Sequence, residues 1–236
     1  MRPLSVCMPY FMRPRELARS LAAYDKVYPD FDFEFSICDD GSEIPLPEYD
    51  DQRIKITRLP IKRRAMNPVV PINRAVRAST RDVIVLTNPE IEHRDRVLDK
   101  MLDALTGPND YVMTGCRDTT RGDWFAGPEA PRCPVGGRKP IPPGTELHFA
   151  VMFHRSLFER AGGFDEEFRE LPGCDDNDWL WKLWSLGDVN FKYVPGVVWH
   201  HKSPRGAWTG SLEKSFARLD AKWGHLPEYQ RAAQGR

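Results

Sequence analysis

Short apolar runs alternate with stretches of helical periodicity along most of this chain, and that alternation restricts the fold more than any other feature. Leu4–Pro9 is a compact apolar run. Leu17, Leu21 and Tyr24 then recur at helical spacing within Arg13–Tyr28, with Pro14 suited to a first turn. Phe31–Cys38 alternates and is rich in aromatics, and Ile54–Leu59 is a third short strand. Pro68–Ser79 reads as a helix, Asp82–Leu86 (DVIVL) as a strand buried on both faces, Arg94–Leu105 as a helix and Asp110–Thr114 as a strand. Strands that alternate with helices in this way predict an α/β domain with a mainly parallel central sheet flanked by helices on both faces.

The second half is less regular. Arg117–Gly144 is rich in Gly, Pro and Arg without periodicity, and reads either as a lid or acceptor-binding loop or as a plain surface excursion. Leu147–Phe153 is expected as a strand, then a helix Arg155–Ala161 that Gly162-Gly163 would end. Asp176–Leu186 reads as a helix carrying Trp179, Leu180, Leu183 and Leu186. Phe191–His200 holds one or two strands, Ser211–Trp223 a last amphipathic helix, and the tail after Pro227 is expected to fray. With 236 residues, one domain over 1–210 suffices, with 211–236 packed on it as helix and tail.

Charge narrows the class of partner. Lys+Arg and Asp+Glu both number 34, so nothing favours nucleic acid as a partner. Five scattered cysteines without a C-x-x-C pair argue against zinc and fit the reduced thiols of a cytoplasmic protein; Cys7 and Cys38 sit in strand-like runs as core filler. The opening MRPLSVCMPYF lacks the apolar stretch of a signal peptide, and no window reaches 18 apolar residues, so no transmembrane segment is expected, while peripheral membrane contact stays open.

Four groups of residues carry chemistry. Asp39-Asp40-Gly41-Ser42 follows the second strand, where open α/β sheets bind ligands; a carboxylate there can accept from an imide N–H, and the same residues also make a simple turn. Asn88-Pro89-Glu90 follows DVIVL. It offers oxygen ligands to Mn²⁺ or Mg²⁺, or equally a helix start with Asn88 as cap and Pro89 in the first turn. Asp175, Asp176 and Asp178 open a helix. The helix dipole favours acids there, but three carboxylates in four residues exceed what a cap needs, and their repulsion suits a general base. Trp199-His200-His201-Lys202 ends a strand, where a neutral imidazole can bind a metal or serve structure alone. The basic run Lys62-Arg63-Arg64 is either a solvated face or positive charge for a phosphate.

Taken in order, these segments resemble a family 2 glycosyltransferase with the GT-A (Rossmann-like) fold over residues 3 to 205. The carrying residues are Met8-Pro9-Tyr10, Asp39 to Ser42, Asn88-Pro89-Glu90 in the place of a D-x-D metal motif, Gly162 to Glu166 as Gly-Gly-Phe-Asp-Glu, Asp175-Asp176 in the place of Glu-Asp, and His200. Two of these depart from the family: Asn88-Pro89-Glu90 has one fewer formal charge than D-x-D, and Asp175 is one methylene shorter than Glu. The resemblance implies an inverting transfer of a sugar from a nucleotide sugar, with uracil as the expected base, to a glycan or lipid-linked acceptor. Asp176 would be the base with Asp175 beside it. Pro9, Tyr10, Asp39, Asp40, Arg64, Asn73 and Asn88 would line the nucleotide, and Glu90 and His200 would hold a divalent metal. Arg63, Arg64 or Lys202 would face the diphosphate, and Trp179 would stack on the acceptor or pack in the core. Two other readings stay open. A nucleotidyltransferase of similar fold usually has a Gly-rich loop after its first strand, which Tyr10–Arg15 lacks. A sugar-binding scaffold on the same fold would show no turnover.

Overall fold

The computed structural model describes residues 3–61, 67–120, 149–201 and 212–233, together with the backbone of 124–126. Four parallel strands form one half of the sheet: β1 (Pro3–Tyr10), β2 (Asp32–Asp39), β3 (Ile54–Arg58) and β4 (Val83–Thr87), in the order β3-β2-β1-β4. The sheet continues through β8 (Ala150–His154), β6 (Asp110–Asp118) and β9 (Asn190–His200) to β5 (Ile91–His93). β8 is antiparallel to both β4 and β6, β9 is parallel to β6, and β5 is antiparallel to β9. Strands β1, β2, β3, β4, β6 and β9 therefore end at one edge, while β8 and β5 run against them. The sheet is thus mixed, parallel in its first half. A short β7 (Trp124–Ala126) pairs with β6 outside this path.

Alternation along the strands supplies two cores. Leu4, Val6, Met8 and Tyr10 of β1 face one side with Phe33, Phe35 and Ile37 of β2, and helices α1 (Pro14–Val27) and α3 (Val97–Ala104) cover them through Leu17, Leu21, Tyr24, Leu98 and Met101. Ile84, Leu86, Tyr111, Val151 and Phe153 face the other side under α2 (Val69–Ala78), α4 (Arg155–Ala161), α5 (Asp175–Ser185), α6 (Glu213–Trp223) and α7 (Pro227–Ala233). Small residues let α2 sit close: Ser36 Oγ donates to the Ala75 carbonyl at 2.7 Å, and Cys7 is fully buried against the same carbonyl.

Several expectations need correction. Asn88-Pro89-Glu90 does not open a helix, because the chain turns tightly (Ile91 N to Asn88 O, 3.1 Å) straight into β5. The helix expected from Arg94 begins at Val97. The irregular segment starts later than Arg117, since Arg117 and Asp118 complete β6, and it contains β7; residues 127–148 lie outside the described part, as does Cys133. From Pro227 to Ala233 the tail is helical rather than frayed. It is anchored by Tyr229, 1% exposed, whose ring packs edge-on to Trp181 and whose hydroxyl meets Asp220 at 2.5 Å. No described helix is long and apolar enough to cross a membrane.

Candidate active site

The carboxyl edge of the sheet collects three acidic groups, each placed by the end of a strand or the start of a helix. The first is the loop after β2. Asp39 is buried, and its carboxylate accepts from the backbone N–H of Ser42 (3.0 Å) and of Leu46 (3.2 Å). Gly41 takes a φ of 79°, a left-handed conformation that a side chain disfavours. The Ser42 hydroxyl accepts from Met12 N at 3.1 Å, and Asp40 N donates to the Tyr10 carbonyl at 2.8 Å. These bonds fuse the ends of β1 and β2 into one floor. Pro9 and Tyr10 are both buried in it, and burial pushes the Tyr10 phenol up to about 12. Asp39 thus shapes the loop, and a carboxylate has about four acceptor positions, so two backbone bonds leave capacity for a ligand N–H.

The second group is Glu90. β5 and β9 pair antiparallel with Ile91 opposite His200, and His201 N donates to the Glu90 carbonyl at 2.9 Å. That ladder brings Glu90 and His200 together from 110 positions apart in sequence: His200 Nε2 lies 3.6 Å from Glu90 Oε1. The His200 ring packs edge-on to Phe149. A third residue, absent from the sequence-based expectation, completes the group: the Arg13 guanidinium lies 2.5 Å from Glu90 Oε1. Burial pushes the Glu90 carboxyl up, but the His200 hydrogen bond and the Arg13 charge outweigh it and hold the group at about 2. Glu90 Oε2 is buried without a hydrogen-bond partner. Among the described residues no set of three His, Cys, Asp or Glu side chains forms a metal cluster. Asn88 is half-buried in the turn beside Glu90.

The third group resolves the excess of acid at the start of α5. Asp178 is fully engaged: Trp223 Nε1 donates to its Oδ1 at 2.8 Å, and Lys222 Nζ lies 2.7 Å from the same oxygen, so this carboxylate locks α6 onto α5. Asp165, in the Gly-Gly-Phe-Asp-Glu segment, serves the same clamp through Lys222 (2.8 Å) and Arg218 (3.0 Å). Asp175 accepts from Asn67 Nδ2 at 3.2 Å, and burial together with the neighbouring Asp176 charge hold its carboxyl well above the ordinary range. Asp175 and Asp176 are both half-buried at the helix N-terminus. Asn67 begins the run into α2 after β3, on the edge where the parallel strands end, so its bond to Asp175 brings the acid pair to that edge.

Two of the side chains singled out in the sequence are drawn into the interior. Asn73 is fully buried and its amide is engaged there: it donates to the Phe164 carbonyl and to Glu166 (both 2.9 Å) and accepts from Phe164 N (2.8 Å). Gly163, at φ 75°, lets this approach happen, because a Cβ there would stand 2.7 Å from Asn73 Oδ1. Asn73 therefore ties α2 to the Gly-Gly-Phe segment. Trp179 is fully buried and stacked on Phe164 at 4.5 Å, so it packs the core and cannot receive an acceptor sugar. Arg63, Arg64 and Lys202 lie outside the described residues.

This geometry defines a mixed α/β domain of the GT-A type, with acidic groups gathered where its parallel strands end. Residues 5–162 match the profile of glycosyl transferase family 2, and the chain belongs to that family. The matched span stops before α5 and His200. Among solved structures, S. aureus TarS in complex with UDP-GlcNAc (TarS 1–349) is similar at a TM-score of 0.68 with 13% identity, covering 98% of this chain and 69% of that one. Another TarS structure gives 0.65 with 15% identity, covering 98% of this chain and 41% of TarS, so the chain spans less than half of that protein. TarS 1–349 in complex with UDP gives 0.60 with 15% identity over 86% of this chain and 61% of that one. No curated protein matches the chain by sequence.

Proposed function

We propose that the chain is an inverting glycosyltransferase that moves a sugar from a uridine-diphosphate sugar to a hydroxyl of a glycan or lipid-linked acceptor. The observation that carries this reading is the division of labour at α5. Asp178 is committed to the clamp, while Asp175, held by Asn67, and Asp176 form an interacting acid pair at the helix N-terminus. In this reading Asp176 takes the acceptor hydroxyl proton as that oxygen attacks the anomeric carbon from the face opposite the leaving group. The carbon–oxygen bond to the diphosphate breaks, and its electron pair leaves with the phosphate, which inverts the centre. Asp39 and the loop it organises would hold the base. The TarS structures with UDP and UDP-GlcNAc support a uridine donor on this fold.

A divalent ion, Mn²⁺ or Mg²⁺, would sit beside Glu90. One of the Glu90 oxygens is buried without a partner, and His200 adjoins the other. Glu90 and His200 would hold the ion with help from Asn88, leaving its other positions to phosphate and water. Bound there, it would offset the charge that develops on the diphosphate. Arg13 then has to leave Glu90, and it supplies a second cation at the same edge. The test is hydrolysis of a panel of UDP-sugars with Mn²⁺ and with excess chelator. Turnover that chelation abolishes supports both parts of the reading. Turnover that survives chelation removes the ion and keeps the transferase. No turnover of any nucleotide sugar favours the scaffold.

A further inference from the structure

The start of α5 follows an unusual stretch of backbone. Gly173 and Cys174 both have a φ of 63°, so two consecutive left-handed residues precede the helix, one of them with a side chain. Cys174, at the N-cap, makes no side-chain capping hydrogen bond. Left-handed backbone is unfavourable outside glycine and persists only where surroundings impose it. A side chain from another element reaches this turn. Asn67, 2% exposed, directs its side-chain amide nitrogen at the Gly173 carbonyl (3.1 Å), the Leu171 carbonyl (3.3 Å) and Asp175 Oδ1 (3.2 Å). Its own oxygen accepts from Val69 N at 3.3 Å, which fixes which end of the amide faces the turn.

We propose that Asn67 is the positioning residue of the acid pair: by holding Asp175 and the 171–174 turn together, it fixes where Asp176 stands over the edge of the sheet. This rests on the transferase reading above. The chemistry of the side chain fits the task. The targets are two carbonyls and a carboxylate, all acceptors, so the group between them must be a donor. A lysine or arginine would add a cation and pin Asp175 in its charged form. A neutral amide donates without doing so, and leaves the two carboxyls able to share a proton. An aspartate of the same shape has no donor and would face three acceptors.

A double-mutant cycle tests this, because residues that act through one another lose less together than the sum of their separate losses. Asn67→Ala and Asp175→Ala are each expected to lower kcat for UDP-sugar turnover by about 10–100-fold, the cost of a small misplacement at a reacting centre. UDP affinity by calorimetry should stay unchanged, and the double variant should be no slower than the slower single one. Asn67→Asp should be as slow as Asn67→Ala despite its matching shape, and Asn67→Ser, which keeps a hydroxyl donor, serves the same cycle if the alanine variant does not fold. Additive losses, or a parallel fall in UDP affinity, would overturn the inference while leaving an active enzyme and the transferase reading intact. A wild-type chain that turns over no nucleotide sugar would overturn both.

Discussion

Two acidic sites share one edge of this sheet and are built on opposite electrostatic plans. Glu90 is buried, yet it remains an anion, because Arg13 supplies positive charge and His200 a donor beside it. Asp175 has an amide and a second carboxylate for neighbours, so burial and repulsion both favour its protonated form. Burial pushes both acids towards the protonated form; the neighbouring charge overrides it at Glu90 and adds to it at Asp175. The difference matches two tasks in the proposed chemistry. A fixed negative charge suits holding a cation near a diphosphate. A carboxyl pair whose members compete for a proton suits accepting one from a hydroxyl.

The largest effect that would break this division is at Asp176. Asp176→Asn is expected to lower kcat by about 10²–10⁴, the range for a lost general base, with UDP binding retained; near-normal turnover would reassign the base. The third carboxylate of the helix should behave differently. Asp178→Ala leaves Lys222 and Trp223 facing a gap, and is expected to lower unfolding free energy by about 3 kcal/mol. That loss would be visible as a drop in denaturant midpoint without a change in the pH dependence of turnover. If Asp178→Ala instead spared stability and abolished turnover, the assignment of clamp and base along α5 would be reversed. Smaller still is the effect at Asp39, an acid wired to backbone N–H groups. Asp39→Ala should weaken UDP binding by about 2 kcal/mol, the scale of a hydrogen bond to a charged group, measured by calorimetry. Unchanged affinity would leave Asp39 with loop-building alone.

Much of the scaffold was legible in the sequence because its signals are local. Alternation in β1 and β2 and the helical spacing of Leu17, Leu21 and Tyr24 need only neighbours along the chain. Where signals compete, reading failed. Asn88-Pro89-Glu90 satisfies both a cap and a turn, and only the pairing of β5 with β9 decides between them. Three β5 residues are too few for a pattern to show. The buried state of Trp179 depends on Phe164 and Phe158, which no spacing within α5 reveals. The cluster Asp175-Asp176-Asp178 was visible as an excess of charge, but its sorting depends on Asn67, Lys222 and Trp223, which lie up to 108 positions away. Arg13 and Asn67 left only weak traces: a cation after the first strand and a polar residue before a helix. Asn73 looked like a ligand contact for the same reason it proved structural, a polar side chain on an apolar helix face that must find partners inside.

The contrast between the two acidic sites can be observed directly by carboxyl ¹³C NMR titration, with signals assigned through Glu90→Gln and Asp175→Asn. Glu90 is expected to stay ionised as pH falls through the ordinary glutamate range and to take a proton only near about 2. Asp175 is expected to take a proton well above the ordinary aspartate range, with a response in Asp176 as the pair shares it. The signs for stability follow. Glu90 contributes stability that is lost as pH falls through the acid range, whereas the penalty at Asp175 is relieved over the same descent. Two carboxyls titrating together at ordinary values would show that the two acidic sites are not built on opposite plans.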